Sequence, residues 1–185
     1  EKGASYWTTW NNKASEDAPG FYIYSISRTD YIAKRQSLLT EATKTNPIEV
    51  TSYIFNSDFS GNRDEGWARA GSWGNQQWGN GTMESWNNNN VTIQNSLCGL
   101  PDGTYKVSVD IISGPGTPLN AYLFANGGLG ELKSANVSAV ASAGNYGTMG
   151  AEVAGNTVTI ENIVVSGGTL TIGVKDPSSG NGWIV

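Results

Sequence analysis

The clearest alternation of apolar and polar positions runs from Tyr105 to Ile111. Tyr105, Val107, Val109 and Ile111 fall on one side, and Lys106, Ser108 and Asp110 on the other. A period of two is the signature of a β-strand with one buried face. The same period recurs at Val91, Ile93, Asn95 and Leu97, at Leu119 to Ala125, at Asn156 to Val165, and at Leu170, Ile172 and Val174. Turn chemistry separates these runs: Leu100-Pro101-Asp102-Gly103, Asn126 to Gly130 and Ser166-Gly167-Gly168. Glu49 to Phe59 reads as one or two further short strands, Ser134 to Ser142 as a weak one, and Gly182 to Val185 as the start of another. Gly71 to Gly81 and Ala143 to Gly155 read as glycine-rich loops.

Short strands at this spacing predict an all-β protein, an antiparallel sandwich of two sheets or a jelly roll. Residues 1–48 differ in character. YWTTW and FYIYSIS are strand-like, and a helix capped by Thr29 or Asp30 carries a loose stripe of Tyr31, Leu38, Leu39 and Ala42 before Pro47 ends it. The expected organisation is therefore the end of a preceding domain or a linker with one helix over 1–48, then a β-domain over 49–185.

Composition agrees and removes several kinds of chemistry. Glycine is abundant at 24 residues, and only 15% of the chain is charged. A net charge of −5 with scattered Lys and Arg argues against nucleic acid, which needs a clustered basic face. The chain has no histidine, which excludes His-based triads, His general bases and His metal ligands. Cys98 is the one cysteine, so no disulfide forms within the chain; its setting in SLCGL predicts a buried structural thiol. No stretch approaches the ~20 apolar residues that span a bilayer as a helix. The acidic residues lie in turns or on strand faces, and none form an evident pair of the kind glycoside hydrolysis requires.

The order of the signals VTSYIFNSDFS, GW, ESWN, VTIQNSLCGLPDGTYKVSV and TLTIGVKDPSSGNGWIV resembles the galactose-binding-like β-sandwich modules of glycan-degrading gut bacteria, many of which are carbohydrate-binding modules. The resemblance covers Glu49 to Val185. The family usually continues beyond this terminal pattern with one more strand, so that strand is expected to be missing or to lie outside this sequence. The resemblance implies a non-catalytic, extracellular or outer-membrane-surface module. Its partner would be an oligo- or polysaccharide, alongside other domains or subunits of a surface glycan-binding assembly. Asn56, Asp58 and Phe59 match the family's opening pattern, and Trp67 its GW. Several members hold a structural calcium near that edge. Here Asn56 and Asp58 would be its ligands, set against the plainer reading of a solvated turn. No cofactor is otherwise required.

Sugars present C–H faces that stack on aromatic rings, and hydroxyls that need amides, carboxylates or guanidinium groups. SWGNQQWGNGTMESWNNNN concentrates this mixture. Trp73 and Trp78 are the expected stacking platforms, with Asn75, Gln76 and Gln77 as hydrogen-bonding partners. The alternative is that one or both indoles fold inward over the end of the sandwich. Arg69 could offer a fork of donors, and Tyr146 and Trp183, flanked by glycines, are further ring candidates. Trp67 and Trp86 are assigned to the core. A sugar-binding module is the first reading, a structural or protein-interaction domain the second, and an enzyme the third. Sequons at Asn80, Asn90 and Asn136 are matches by chance if the protein is bacterial.

Overall fold

A computed structural model describes residues 30, 33, 36, 39, 42–54, 56–59, 64–79, 82–86, 89–113, 120–137, 156–179 and 182–184. The chain divides into two compact units: Glu1–Ile48 with Gly99–Pro101, and Glu49–Cys98 with Asp102–Val185. In the first, the described residues Asp30, Ala33, Gln36 and Leu39 are helical. Beyond them Thr43 and Asn46 exchange backbone hydrogen bonds, N–H to O, at 3.0 and 3.1 Å in a turn before Pro47. Leu39 and Leu100 are buried.

The second unit is an antiparallel β-protein. Its strands are β1 (Ala68–Ser72), β2 (Asn75–Gly79), β3 (Thr82–Trp86), β4 (Asn89–Cys98), β5 (Gly103–Asp110), β6 (Ile112–Ser113), β7 (Tyr122–Asn126), β8 (Glu131–Lys133), β9 (Thr157–Val165), β10 (Thr169–Ser179) and β11 (Trp183–Ile184). They form a five-stranded sheet ordered β1-β4-β10-β7-β8, a four-stranded sheet ordered β2-β3-β11-β6, and the pair β5-β9. The described pairings are all antiparallel.

The alternation in sequence becomes the two faces of the sheet. On β4, Val91, Ile93, Asn95 and Leu97 are buried; on β10, Leu170, Ile172, Val174 and Asp176 are. Among the described residues, Phe59, Met83, Val91, Ile93, Ile111, Ala121, Val137 and Val174 form one apolar cluster. Trp67, Trp73, Val109 and Val158 pack on it, half-buried. Strands of all three sheets contribute to this interior, which is the construction of a β-sandwich.

The outer face of the five-stranded sheet carries Thr92, Gln94, Ser96, Thr171 and Lys175, and one large aromatic ring is buried on it. Phe124 on β7 is only 3% exposed, although it stands opposite Gly173 on the outward side. A Cβ at Gly173 would lie 2.1 Å from the Ile93 carbonyl oxygen and 2.7 Å from the Phe124 ring, so the ring fills the space a side chain would take. Lys175 completes the cover. Its ammonium lies 4.5 Å from the ring centroid, and it forms an ion pair with Glu131 on β8, so its stem crosses β7.

Three expectations are corrected. The described residues of Glu49 to Phe59 form no strand: Thr51–Tyr53 is a single 3-10 turn, and Asn56 and Phe59 have positive φ of 54° and 52°, outside the extended region. Gly71 to Gly81 is largely strand and not loop, because β2 and β3 pair from Asn75↔Trp86 to Gly79↔Thr82. Its amides and glycines hid a period of two. The short strand β8 has no alternation long enough to notice. Cys98 is exposed, not buried, because the alternation that turns Leu97 inward turns its neighbour outward. Residues 138–155, including Tyr146 and most of the weak strand, lie outside the described residues.

Candidate functional site

The approach to β1 is a tight turn. The Trp67 N–H donates to the Asp64 carbonyl at 2.8 Å, and Gly66 at the third position has φ of 83°, as a type II turn requires. Before it, the Asn56 carbonyl accepts from the Phe59 N–H at 3.3 Å and from the Trp67 indole N–H at 3.0 Å. The Asn56 side-chain amide donates to the Glu65 carbonyl at 3.4 Å. The Phe59 and Trp67 rings pack with centroids 5.1 Å apart, and Phe59 is buried. Trp67 therefore holds the chain entry against the core, as expected of it.

The Asn56 backbone carbonyl, one of the oxygens a calcium ion could use here, is already engaged. Calcium takes six to eight oxygens. The Asn56 carbonyl already accepts two N–H groups, and the Asn56 amide nitrogen faces a carbonyl. Among the described residues no three Asp or Glu side chains gather to hold a metal.

Beyond the turn, β1 runs along the edge of the five-stranded sheet, with Arg69 opposite Ile93. An edge position lets Arg69 leave the sheet toward solvent. Its Nε lies 2.5 Å from Asp64 Oδ2, and both side chains are about one-third exposed (34% and 27%). Its guanidinium carbon lies 5.4 Å from the centroid of the Trp73 ring. At partly exposed sites a cation over an indole contributes ~0.5–1 kcal/mol and an ion pair ~0–1 kcal/mol. Neither is a large stabiliser, but together they fix the position of a flexible side chain.

The strand then breaks register. Ala70 faces Thr92 and Ser72 faces Asn89, so Gly71 stands opposite both Asn90 and Val91. Gly71 has φ of 88°, and a Cβ there would lie 2.0 Å from the Asn90 carbonyl oxygen. Only glycine fits this crossing. The bulge turns the chain so that Trp73 curls back, donating its indole N–H to the Ala70 carbonyl at 2.9 Å. Trp73 is half-buried: part of it packs on the core and the rest meets solvent beside Arg69.

Asn75, Gln76, Gln77 and Trp78 all lie on β2, immediately after this feature, and Trp78 stands in register with Met83, which is fully buried. The expected residues Arg69 and Trp73 are thus in contact, and the β2 residues follow Trp73 by two to five positions. Asp64 is the member that sequence reasoning did not assign. Its signal was an acid opening a turn five residues before the arginine. Trp86 lies on β3 and Trp183 on β11, opposite Ser85.

No protein-family description matches the chain, and no characterised protein matches it in sequence. A solved structure of a carbohydrate-binding module, TmCBM61 in complex with β-1,4-galactotriose, is similar. The identity is 16% and the TM-score 0.46, over 73% of this chain and 90% of that one. At that level the likeness does not by itself carry a ligand across.

Proposed function

We propose that this chain is a non-catalytic carbohydrate-binding module that rests a sugar ring on the solvent-facing part of a half-buried indole. One observation carries the reading. Trp73 is held at its indole N–H by the Ala70 carbonyl and flanked by the Arg69–Asp64 pair, so an apolar ring surface sits beside a charged donor and a charged acceptor. A sugar needs that combination: a flat surface for its C–H face and polar groups for its hydroxyls. Fixing the ring before the ligand arrives lowers the ordering cost of binding. Asn75, Gln76, Gln77 and Trp78 on β2 extend the surface in this reading, and Tyr146 is a further ring candidate. The sequence resemblance to modules of bacterial glycan-utilisation proteins supports an extracellular or outer-membrane-surface setting. The reading requires no metal.

The test is titration calorimetry against soluble plant, host and microbial glycans, with Trp73→Ala and Trp78→Ala beside the wild type. Binding to at least one glycan is expected, weakened tenfold or more by Trp73→Ala, a loss of about 1.4 kcal/mol. The second reading is a structural or protein-interaction sandwich domain, and the packing of Trp73 on the core cluster favours it. On that reading Trp73→Ala lowers stability and no glycan binds.

A further inference from the structure

The pairing of Asp64 with Arg69 bears on which sugars the site would accept. A lone arginine beside an indole would suit an acidic sugar, since its fork of donors matches a carboxylate. Here a carboxylate already occupies that place, with Asp64 Oδ2 at 2.5 Å from Arg69 Nε. Asp64 is held there from both ends. Its backbone carbonyl closes the turn by accepting the Trp67 N–H, and its side chain meets the guanidinium. The chain as a whole is also acidic, at −5.

We propose that Asp64 is a specificity-determining residue that makes the site selective for uncharged saccharides over uronic or sialic acids. This rests on the carbohydrate-binding reading above. Adjacent sugar hydroxyls each donate and accept, so a neutral diol can donate to the Asp64 carboxylate while accepting from the Arg69 guanidinium. The apolar face of the same ring lies on Trp73. A sugar carboxylate brought to that position meets Asp64 as a like charge. It must either bear that repulsion or displace Asp64 from Arg69. Two like charges about 5 Å apart in a largely aqueous setting cost roughly a five- to tenfold loss of affinity, more at low salt.

The experiment uses glycans in matched pairs that differ in the oxidation state of C6. Polygalacturonate and alginate are each compared with the carboxyl-reduced polymer, and a soluble β-glucan and a galactan each with the C6-oxidised form. Binding is measured by titration calorimetry at low and at physiological ionic strength, for the wild type and Asp64→Asn. The expected result is binding to the neutral member of a pair, with the acidic member five- to tenfold weaker and the gap narrower in salt. Asp64→Asn should close most of that gap while keeping the wild-type melting temperature to within a few degrees, because the turn is held by the backbone carbonyl. An acidic member bound as tightly as its neutral partner overturns the selectivity and leaves the carbohydrate reading standing. A gap unchanged in Asp64→Asn overturns the role of Asp64. Failure of every pair to bind overturns the carbohydrate reading and the selectivity with it.

Discussion

Replacing Gly71 with alanine should damage the candidate site through the backbone alone. Two costs act together. At φ of 88° a side chain meets the following carbonyl, which costs ~1–2 kcal/mol. The added Cβ would also lie 2.0 Å from the Asn90 carbonyl oxygen and 2.8 Å from the Val91 Cα. Both are backbone atoms within the β1–β4 crossing, so neither can swing aside as a flexible side chain would. Overpacking of this kind adds ~1–3 kcal/mol. The expected total is about 2–5 kcal/mol, or roughly 6–20 °C in Tm for a domain of this size. Gly167→Ala is the control. Its φ is 83°, nearly the same, but nothing lies within 4 Å of its would-be Cβ. It should therefore lose only the dihedral cost, ~1–2 kcal/mol. Urea denaturation of both variants measures the difference. Because Gly71 sits between Ala70 and Trp73, Gly71→Ala should also alter the solvent quenching of tryptophan fluorescence, which Gly167→Ala should leave as in the wild type. Equal losses of stability in the two variants would refute the steric argument.

Two further outcomes follow from contacts that link distant parts of the chain. Asp102 Oδ1 accepts from the N–H groups of Gly167 and Gly168 at 2.9 and 3.2 Å, tying the turn before β5 to the turn before β10. Asp102→Ala should cost ~1–2 kcal/mol by urea denaturation, and Asp102→Asn, which keeps an acceptor oxygen, clearly less. Lys175→Met should cost at most about 1–2 kcal/mol, since it keeps an apolar stem over Phe124 and loses a partly exposed ion pair and a cation–π contact, each worth ~0–1 kcal/mol. Lys175→Ala should cost more than Lys175→Met, because it also uncovers the ring. If the two Lys175 variants melt alike, the stem is not what covers Phe124.

Much of the scaffold was legible from the chain. Tyr105 to Ile111 and Leu170 to Val174 alternate without interruption, and Val91 to Leu97 does so but for Asn95; burial of one face leaves such strands one way to lie. The turn at Ser166 to Gly168 was marked by residues whose conformations few others adopt. β2 and β3 were hidden because asparagine, glutamine and glycine carry weak strand preferences; pairing between the two strands decided their state, not propensity. Cys98 was misplaced for a related reason. Its apolar neighbours suggested burial, but which side of a strand a residue takes is set by register.

At the site, the residue types were readable and their juxtaposition was not. That Trp73 and Arg69 suit a sugar follows from their chemistry and their nearness in the chain. That Asp64 meets Arg69, that Gly71 must cross the Asn90 carbonyl, and that Trp73 folds back onto Ala70 depend on the edge of the five-stranded sheet and its bulge. Periodicity fixes which face of a strand is apolar. Distances between side chains on either side of a bulge depend on which strands pair and in what register, and only the folded sheet determines both.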